Sequence, residues 1–164
     1  MKAFLLLGSN VGNRIENLSL ARTLIHENIA PLFVTSSLYE TAPWGNEDQA
    51  PFINQVIVVE TKLHPPTLLK RLKGIEQKMG RKQAGKWEPR IIDIDILLID
   101  DQHFRSELLT VPHPRMHERR FTLVPIAEID SQAHHPVLKM SVGELLNICD
   151  DKLDVRRLQL TSNS

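Results

Sequence analysis

Ile92-Asp93-Ile94-Asp95-Ile96 alternates aliphatic and acidic residues without a break. On a strand, side chains two residues apart share a face, so Asp93 and Asp95 point the same way, about 7 Å apart along the chain. The other face, Ile92, Ile94, Ile96 and Leu98, is apolar and suited to packing under helices. Two neighbouring carboxylates repel each other, and a sheet gains nothing from them. A divalent cation removes the repulsion. Mg²⁺ commonly takes one or two protein carboxylates and completes its shell with water and phosphate oxygens. Taken alone, the pattern also fits the wet face of an edge strand. Its surroundings shift the balance.

Cations gather on both sides of the pair. Before it come Lys70, Arg71, Lys73, Lys78, Arg81, Lys82, Lys86 and Arg90, opposed only by Glu76 and Glu88. After it come His113, Arg115, His117, Arg119 and Arg120. Carboxylates, a metal and arginines are the equipment of phosphoryl transfer, where positive charge neutralises the phosphates and holds them in line. Lys70, Arg71 and Lys78 read as a solvated helix face. Arg81 and Arg90 flank a loop that runs into the acidic strand, and that placement favours a functional reading. The chain has no G-x-x-x-x-G-K-[ST] and no G-x-G-x-x-G, so neither a P-loop nor a kinase-type glycine loop is present. Gly8-Ser9-Asn10-Val11-Gly12 sits where a strand passes into a helix. It could cradle an anion, although a tight turn needing glycine is the simpler reading.

Aromatic residues are only 5% of the chain, yet both tryptophans fall in expected loops, Trp44 within 41–51 and Trp87 within 81–89. A tryptophan on a mobile loop is unfavourable unless it docks, either on the domain surface or on a ligand under a closing lid. Phe52 and Phe121 are further candidates for stacking on a flat ring. Of the histidines, His113 in Val-Pro-His-Pro lies between the strand and the second basic cluster and is the one expected near phosphate. His134-His135-Pro136 reads as a turn. Adjacent histidines point apart and make a poor metal site, while His26, His64 and His103 read as surface residues. Cys149 follows Ile148 in an apolar helix without a basic neighbour, so it is expected to be buried and inert.

The elements that must position these groups follow from hydrophobic periodicity. Residues 3–7 read as a strand, 13–27 as a helix with Asn13 at its start, 32–39 as a strand, and 52–63 as a second strand of a hairpin. Pro65-Pro66 opens a helix, where a missing N–H does no harm, and Gly80 ends it. Residues 91–99 form the acidic strand. Beyond it, 108–111 reads as a short strand and 121–129 as a helix. Ser141-Val142-Gly143-Glu144 matches a capping box before Leu145, Leu146 and Ile148. The order to residue 100 is β-α-β-β-α-β, which gives an α+β, ferredoxin-like αβα arrangement with a C-terminal extension.

At 164 residues the chain fits a single domain, 1–164. Lys+Arg and Asp+Glu are both 20, and apolar residues make up 41%. Net neutrality argues against a general nucleic-acid coat protein. A lone cysteine and the lack of any membrane-length apolar run point to the cytoplasm, with no membrane partner.

Together these residues resemble the 6-hydroxymethyl-7,8-dihydropterin pyrophosphokinases of folate biosynthesis. The carrying motifs are Leu7-Gly8-Ser9-Asn10, Tyr39-Glu40-Thr41-Ala42-Pro43-Trp44-Gly45, and Phe52-Ile53-Asn54. Then come Ile75-Glu76 with Gly80-Arg81, and Trp87-Glu88-Pro89-Arg90-Ile91-Ile92-Asp93-Ile94-Asp95. Val111-Pro112-His113-Pro114-Arg115-Met116 and Arg119-Arg120-Phe121 complete the set. The resemblance implies a ferredoxin-like fold and transfer of pyrophosphate from ATP to the pterin hydroxymethyl oxygen, with AMP leaving. It implies two Mg²⁺ ions on Asp93 and Asp95, and Arg81 and Arg90 at the transferring group. It puts Glu76, Trp87, His113 and Arg119 on the ATP side. Phe52 and Phe121 would sandwich the pterin, and Thr41, Pro43, Trp44 and Asn54 would contact its edge. The chain departs from the family at Glu88, where a small residue is usual. It also departs near Gln83, where some members carry a second loop arginine.

Two readings compete. An acylphosphatase-like hydrolase of the same fold would need neither the paired carboxylates nor two lid loops. An RNA-recognition domain shares the strand order but wants aromatics on its central strands, where this chain carries Asp93 and Asp95. The favoured partners are therefore small molecules, bound by a monomer.

Overall fold

The computed structural model describes residues 1–43, 48–80 and 90–160. It begins with strand β1 (Lys2–Ser9) and helix α1 (Arg14–Asn28). Asn13 caps α1 by accepting a bond from the Glu16 N–H at 3.1 Å, which satisfies one of the helix's orphan donors. Two short strands follow, β2 (Leu32–Thr35) and β3 (Tyr39–Thr41), in place of the single strand expected over 32–39. The break has a physical cause. The Ser36 hydroxyl accepts the Val56 N–H at 3.0 Å, and the Ser37 N–H turns away to the Glu128 carboxylate at 2.7 and 2.9 Å. Next come β4 (Phe52–Glu60), three residues shorter than expected, α2 (Pro65–Lys78) and β5 (Asp93–Ile99).

The main sheet is antiparallel in every pairing, with β3, β4, β1 and β5 side by side in that order and β2 also on β4. The last strand, β10 (Val155–Arg157), comes from the C-terminal region and pairs with β3. After β5 a small ribbon, β6 (Phe104–Arg105) with β7 (Thr110–Val111), leads through a 3-10 turn at Met116–Glu118 into α3 (Arg120–Asp130). A second ribbon, β8 (His134–His135) with β9 (Met140–Ser141), precedes α4 (Val142–Ile148). The expected capping box at Ser141 and Glu144 is formed at the start of α4. The expected turn at His134-His135 is a paired strand instead, and His135 is only 5% exposed. Cys149, expected inside an apolar helix, caps α4 and is half-buried, next to an exposed Ile148.

Strand alternation divides the core into two. Leu5, Leu7, Ile53, Ile57, Ile94 and Ile96 pack with Leu18, Ala21 and Ile25 of α1 and Leu68, Leu72 and Ile75 of α2. On the other face Leu6, Val56 and Leu97 pack with Leu123 and Ile126 of α3 and Val142 and Leu145 of α4. Each of the valine, leucine and isoleucine side chains among these gains about 1.5–3 kcal/mol by leaving water, so helices cover both sides of the sheet. Among the described residues no helix is long and apolar enough to cross a membrane.

Candidate active site

The register of β1 arranges the chemistry. Gly8 lies opposite Asp93 on one side and Asn54 on the other, and Asn54 in turn lies opposite Tyr39. Asp93, Gly8, Asn54 and Tyr39 therefore form one row across the sheet. Asp95 stands in the next row beside Leu6. By alternation all of them face the α3 side, where Asp93 and Asp95 are half-buried. The two carboxylates share a face, as the period-two pattern requires.

Gly8 keeps this row open. A Cβ at position 8 would stand 2.6 Å from Asn54 Oδ1 and 3.4 Å from Phe52 Cδ1. The glycine is thus required for a close approach within β1. It is not the turn residue that its sequence context suggests. That duty falls to Gly12, which has a φ of 70°. Asn54, 4% exposed, donates through Nδ2 to Thr41 Oγ1 at 2.6 Å. Thr41 and Phe52 are cross-strand partners on the same face, and Pro43 is buried beside them in the chain. Phe121, near the start of α3, packs on the second core with the Arg119 guanidinium 5.7 Å from its ring centroid.

Sequence reasoning assigned no role to Asn10, which is 5% exposed just beyond β1. Its N–H donates to the Arg90 carbonyl at 3.0 Å, and its Oδ1 accepts the Arg90 N–H at 2.7 Å. Its Nδ2 donates to Gln49 Oε1 at 3.1 Å and to the Ala50 carbonyl at 3.2 Å. One side chain thus ties together the segment that ends before β4 and the segment that enters β5. Arg90 then reaches Asp93, Nη1 to Oδ1 at 3.4 Å.

On the other flank, His113 is anchored by its N–H to the Leu97 carbonyl at 2.9 Å, and its Nδ1 accepts the Arg115 N–H at 3.2 Å. Burial, with Arg119 and Arg115 adding to it against the opposing pull of Asp93, lowers its pKa to about 4, so the ring is neutral near pH 7. Burial also lowers the pKa of Arg119, while Asp95 pulls it back up. An arginine remains charged under any such shift. Beside Asp95 lies a cavity of about 300 Å³, lined by Leu69, Lys73, Ile96, Leu109, Thr110 and His113 among others. Glu76, 1% exposed, is held by Lys73 at 2.9 Å.

Arg90, Asp93, Asp95, His113, Arg119, Thr41, Phe52, Asn54 and Phe121 thus sit on or border one sheet face. Arg81, Trp44 and Trp87 lie outside the described residues, as do Gln83, Glu88 and the greater part of the two expected lid loops. Among the described residues no group of three His, Cys, Asp or Glu side chains converges as a metal site. The donors that suit a metal are two same-face carboxylates beside open space, a set matched to an ion that takes the rest of its shell from water and phosphate.

The family model described as 7,8-dihydro-6-hydroxymethylpterin-pyrophosphokinase (HPPK) matches residues 4–131. The 2-amino-4-hydroxy-6-hydroxymethyldihydropteridine pyrophosphokinase of Bacillus subtilis is 45% identical over 131 residues, 79% of this chain and 78% of its own. The protein of the same name from Aquifex aeolicus is 41% identical over 141 residues, 86% of this chain and 88% of its own. Among solved structures, wild-type Plasmodium falciparum HPPK-DHPS with pterin and p-hydroxybenzoate matches with a TM-score of 0.73 at 20% identity. That match covers 89% of this chain and 42% of the longer one. On the family match and these two relatives, the chain belongs to the 7,8-dihydro-6-hydroxymethylpterin-pyrophosphokinase family.

Proposed function

We infer that this chain transfers pyrophosphate from ATP to the hydroxymethyl group of 6-hydroxymethyl-7,8-dihydropterin, releasing AMP, as a step of folate synthesis. The observation that carries the reading beyond family membership is the row Asp93, Gly8, Asn54. It sets charge-handling carboxylates beside a hydrogen-bonding amide, with no side chain between them. A pterin edge held at Asn54 and Thr41 would have its hydroxymethyl arm directed over Gly8 toward Asp93. The buried Asn54 to Thr41 bond fixes the amide's orientation before substrate arrives, which lowers the ordering cost of binding. Phe52 and Phe121 supply the two rings for a stack, and Pro43 and Trp44 complete the pterin contacts.

ATP belongs on the other flank. Its triphosphate would lie between Asp95, Arg119 and His113, and its base would enter the part-apolar cavity between Leu69 and Leu109. Neutral His113 can offer a hydrogen bond there without adding charge. Glu76 and Trp87 are assigned to the same side. Asp93 and Asp95 would hold two Mg²⁺ ions, whose chemistry is to neutralise the phosphate oxygens. Arg90, fixed through Asn10 and Asp93, and Arg81 offer guanidinium forks to the transferring group, a geometry suited to phosphate. The protein then has little covalent chemistry to do, and positioning dominates the rate.

The strand order supports a ferredoxin-like core in which β2 and β3 together act as one edge strand. We read 1–164 as one domain working as a monomer in the cytoplasm on small molecules. Incubation with ATP, Mg²⁺ and the pterin alcohol, followed by nucleotide chromatography, tests the reaction. AMP is the expected product. ADP in its place, or no pterin-dependent use of ATP, would overturn it.

A further inference from the structure

Helix α3 carries Phe121, yet it has no cap of its own. Arg119 at its N-cap makes no side-chain cap bond, because a guanidinium has no acceptor to offer. The acceptor comes from 31 residues further along the chain, where Asp151 Oδ2 takes the Arg120 N–H at 2.9 Å. A carboxylate there also meets the positive end of the helix dipole. The other oxygen of the same carboxylate, Oδ1, accepts the Leu153 N–H at 3.0 Å. That bond turns the chain at 151–153 toward β10.

β10 lies against the strand that carries Thr41. Val155 is opposite Thr41, and Thr41 is opposite Phe52 on its other side. Just before β10 the Asp154 carbonyl accepts the N–H of Ala42, the residue between Thr41 and Pro43, at 3.4 Å. Helix α3 packs on β3, β4 and β10. Its far end is held separately, where Glu128 accepts the Ser37 N–H and the Tyr39 hydroxyl. Two paths therefore meet at Asp151. One runs through Arg120 to Phe121, and the other through Leu153 and Val155 to Thr41 and Phe52.

We infer that Asp151 is a positioning residue for the pterin, setting the gap between the Phe121 ring on α3 and the Thr41–Phe52 edge of the sheet. It touches no reacting atom. The inference rests on the pterin reading of Thr41, Phe52 and Phe121, and it extends that reading to the C-terminal segment. A frayed first turn would let Phe121 swing away from Phe52, and the cap prevents this. Arg119, on the ATP flank, has anchors of its own. Its N–H donates to the Met116 carbonyl at 3.4 Å, and its carbonyl accepts the Thr122 hydroxyl at 2.8 Å. Loss of the Asp151 carboxylate should therefore fall on the pterin and spare the nucleotide.

Calorimetry on the full chain tests this, with 6-hydroxymethyl-7,8-dihydropterin and a non-hydrolysable ATP analogue with Mg²⁺ titrated separately. Asp151→Ala should raise the Kd for the pterin about fivefold, the worth of a helix cap, and leave that of the ATP analogue unchanged. Asp151→Asn should fall between wild type and Asp151→Ala, because its one carbonyl oxygen can make only one of the two bonds. Amide hydrogen exchange without any ligand is the second measurement. In Asp151→Ala it should quicken at both Arg120 and Ala42, with Leu158, bonded to the Leu38 carbonyl beyond β10, as the control. Equal weakening of both ligands, or unaltered pterin affinity in Asp151→Ala, would overturn the proposal. So would faster exchange at Arg120 alone, which would leave the pterin reading standing. A wild-type protein that binds no pterin would overturn that reading and this one with it.

Discussion

Asn10 and Arg90 bond to each other in both directions across 80 residues of sequence, through the Asn10 N–H to the Arg90 carbonyl and the Arg90 N–H to Asn10 Oδ1. The same Asn10 amide reaches Gln49 and Ala50. One short side chain therefore sets the spacing between the segments assigned to the two substrates.

Asn10→Ala is expected to cost about 1–3 kcal/mol of stability, since it leaves buried partners unpaired. It should also lower kcat/KM by more than the stability loss explains. Asn10→Asp separates the two roles. It keeps the acceptor for Arg90 and loses the donor to Gln49 and Ala50, so KM for the pterin should rise while KM for ATP holds. Equal changes in both KM values would mean that the residue acts only on the fold.

Gly8→Ala places a Cβ against Asn54 Oδ1, and the buried amide cannot move without giving up Thr41. Overpacking of this kind costs about 1–3 kcal/mol. Pterin affinity measured by calorimetry should fall about tenfold or more, with binding of an ATP analogue changed far less. Unaltered pterin binding would remove Gly8 from the site.

Asp95→Asn should abolish turnover and change the melting temperature of the metal-free protein little, because relief of the like-charge contact with Asp93 is set against loss of the attraction to Arg119. Asp93→Asn should abolish turnover too, with a small loss of stability from its half-exposed pair with Arg90. Mg²⁺-dependent activity and thermal melting measure both. Normal activity in either variant would remove the carboxylates from the mechanism.

The pH dependence of folding should show His135. Burial, with His117 next in size, lowers its pKa to about 4, against about 6.5 in an unfolded chain. Its Nδ1 accepts the Leu138 N–H at 3.1 Å, a bond that protonation breaks. His117 stands 6.0 Å away ring to ring, and His134 and His103 also disfavour the charge. Asp101 near His134 and Glu118 near His117 are the acidic groups on this side. The folded pKa is depressed, so the contribution is fully present above about pH 6.5 and is lost as pH falls toward 4. It amounts to about 3 kcal/mol. Urea titrations across this range should show a steeper acid loss in wild type than in His135→Leu.

The parts of the fold written in local pattern were legible. Period-two alternation put Asp93 and Asp95 on one face, and Asn13 and Ser141 announced their helices. Long-range features were not. The bonds of Asn10 run to residues 39, 40 and 80 positions away, and no local signal marks them. Gly8-Ser9-Asn10 looks like a turn because its composition is that of a turn. Only the cross-strand register, with Asn54 opposite Gly8, reveals a strand that must stay bare. The split of β2 from β3 depends on the Ser36 hydroxyl meeting Val56. The strand at Val155–Arg157 carries no apolar alternation and is defined by its pairing with β3.

That last pairing bears on how the molecule is made. Glu40 is held by Arg14 at 3.1 Å and by Arg156 at 2.7 Å, the second of these across 116 residues. As the chain leaves the ribosome, β3 can dock on β4 early, but its outer edge stays open until residues 155–157 emerge. An open strand edge is a template for a neighbouring copy. A nascent chain stalled before Val155 would therefore present the Tyr39–Thr41 edge to other nascent chains, so aggregation during synthesis should respond more strongly to changes in the last tenth of the sequence than its sparse packing suggests.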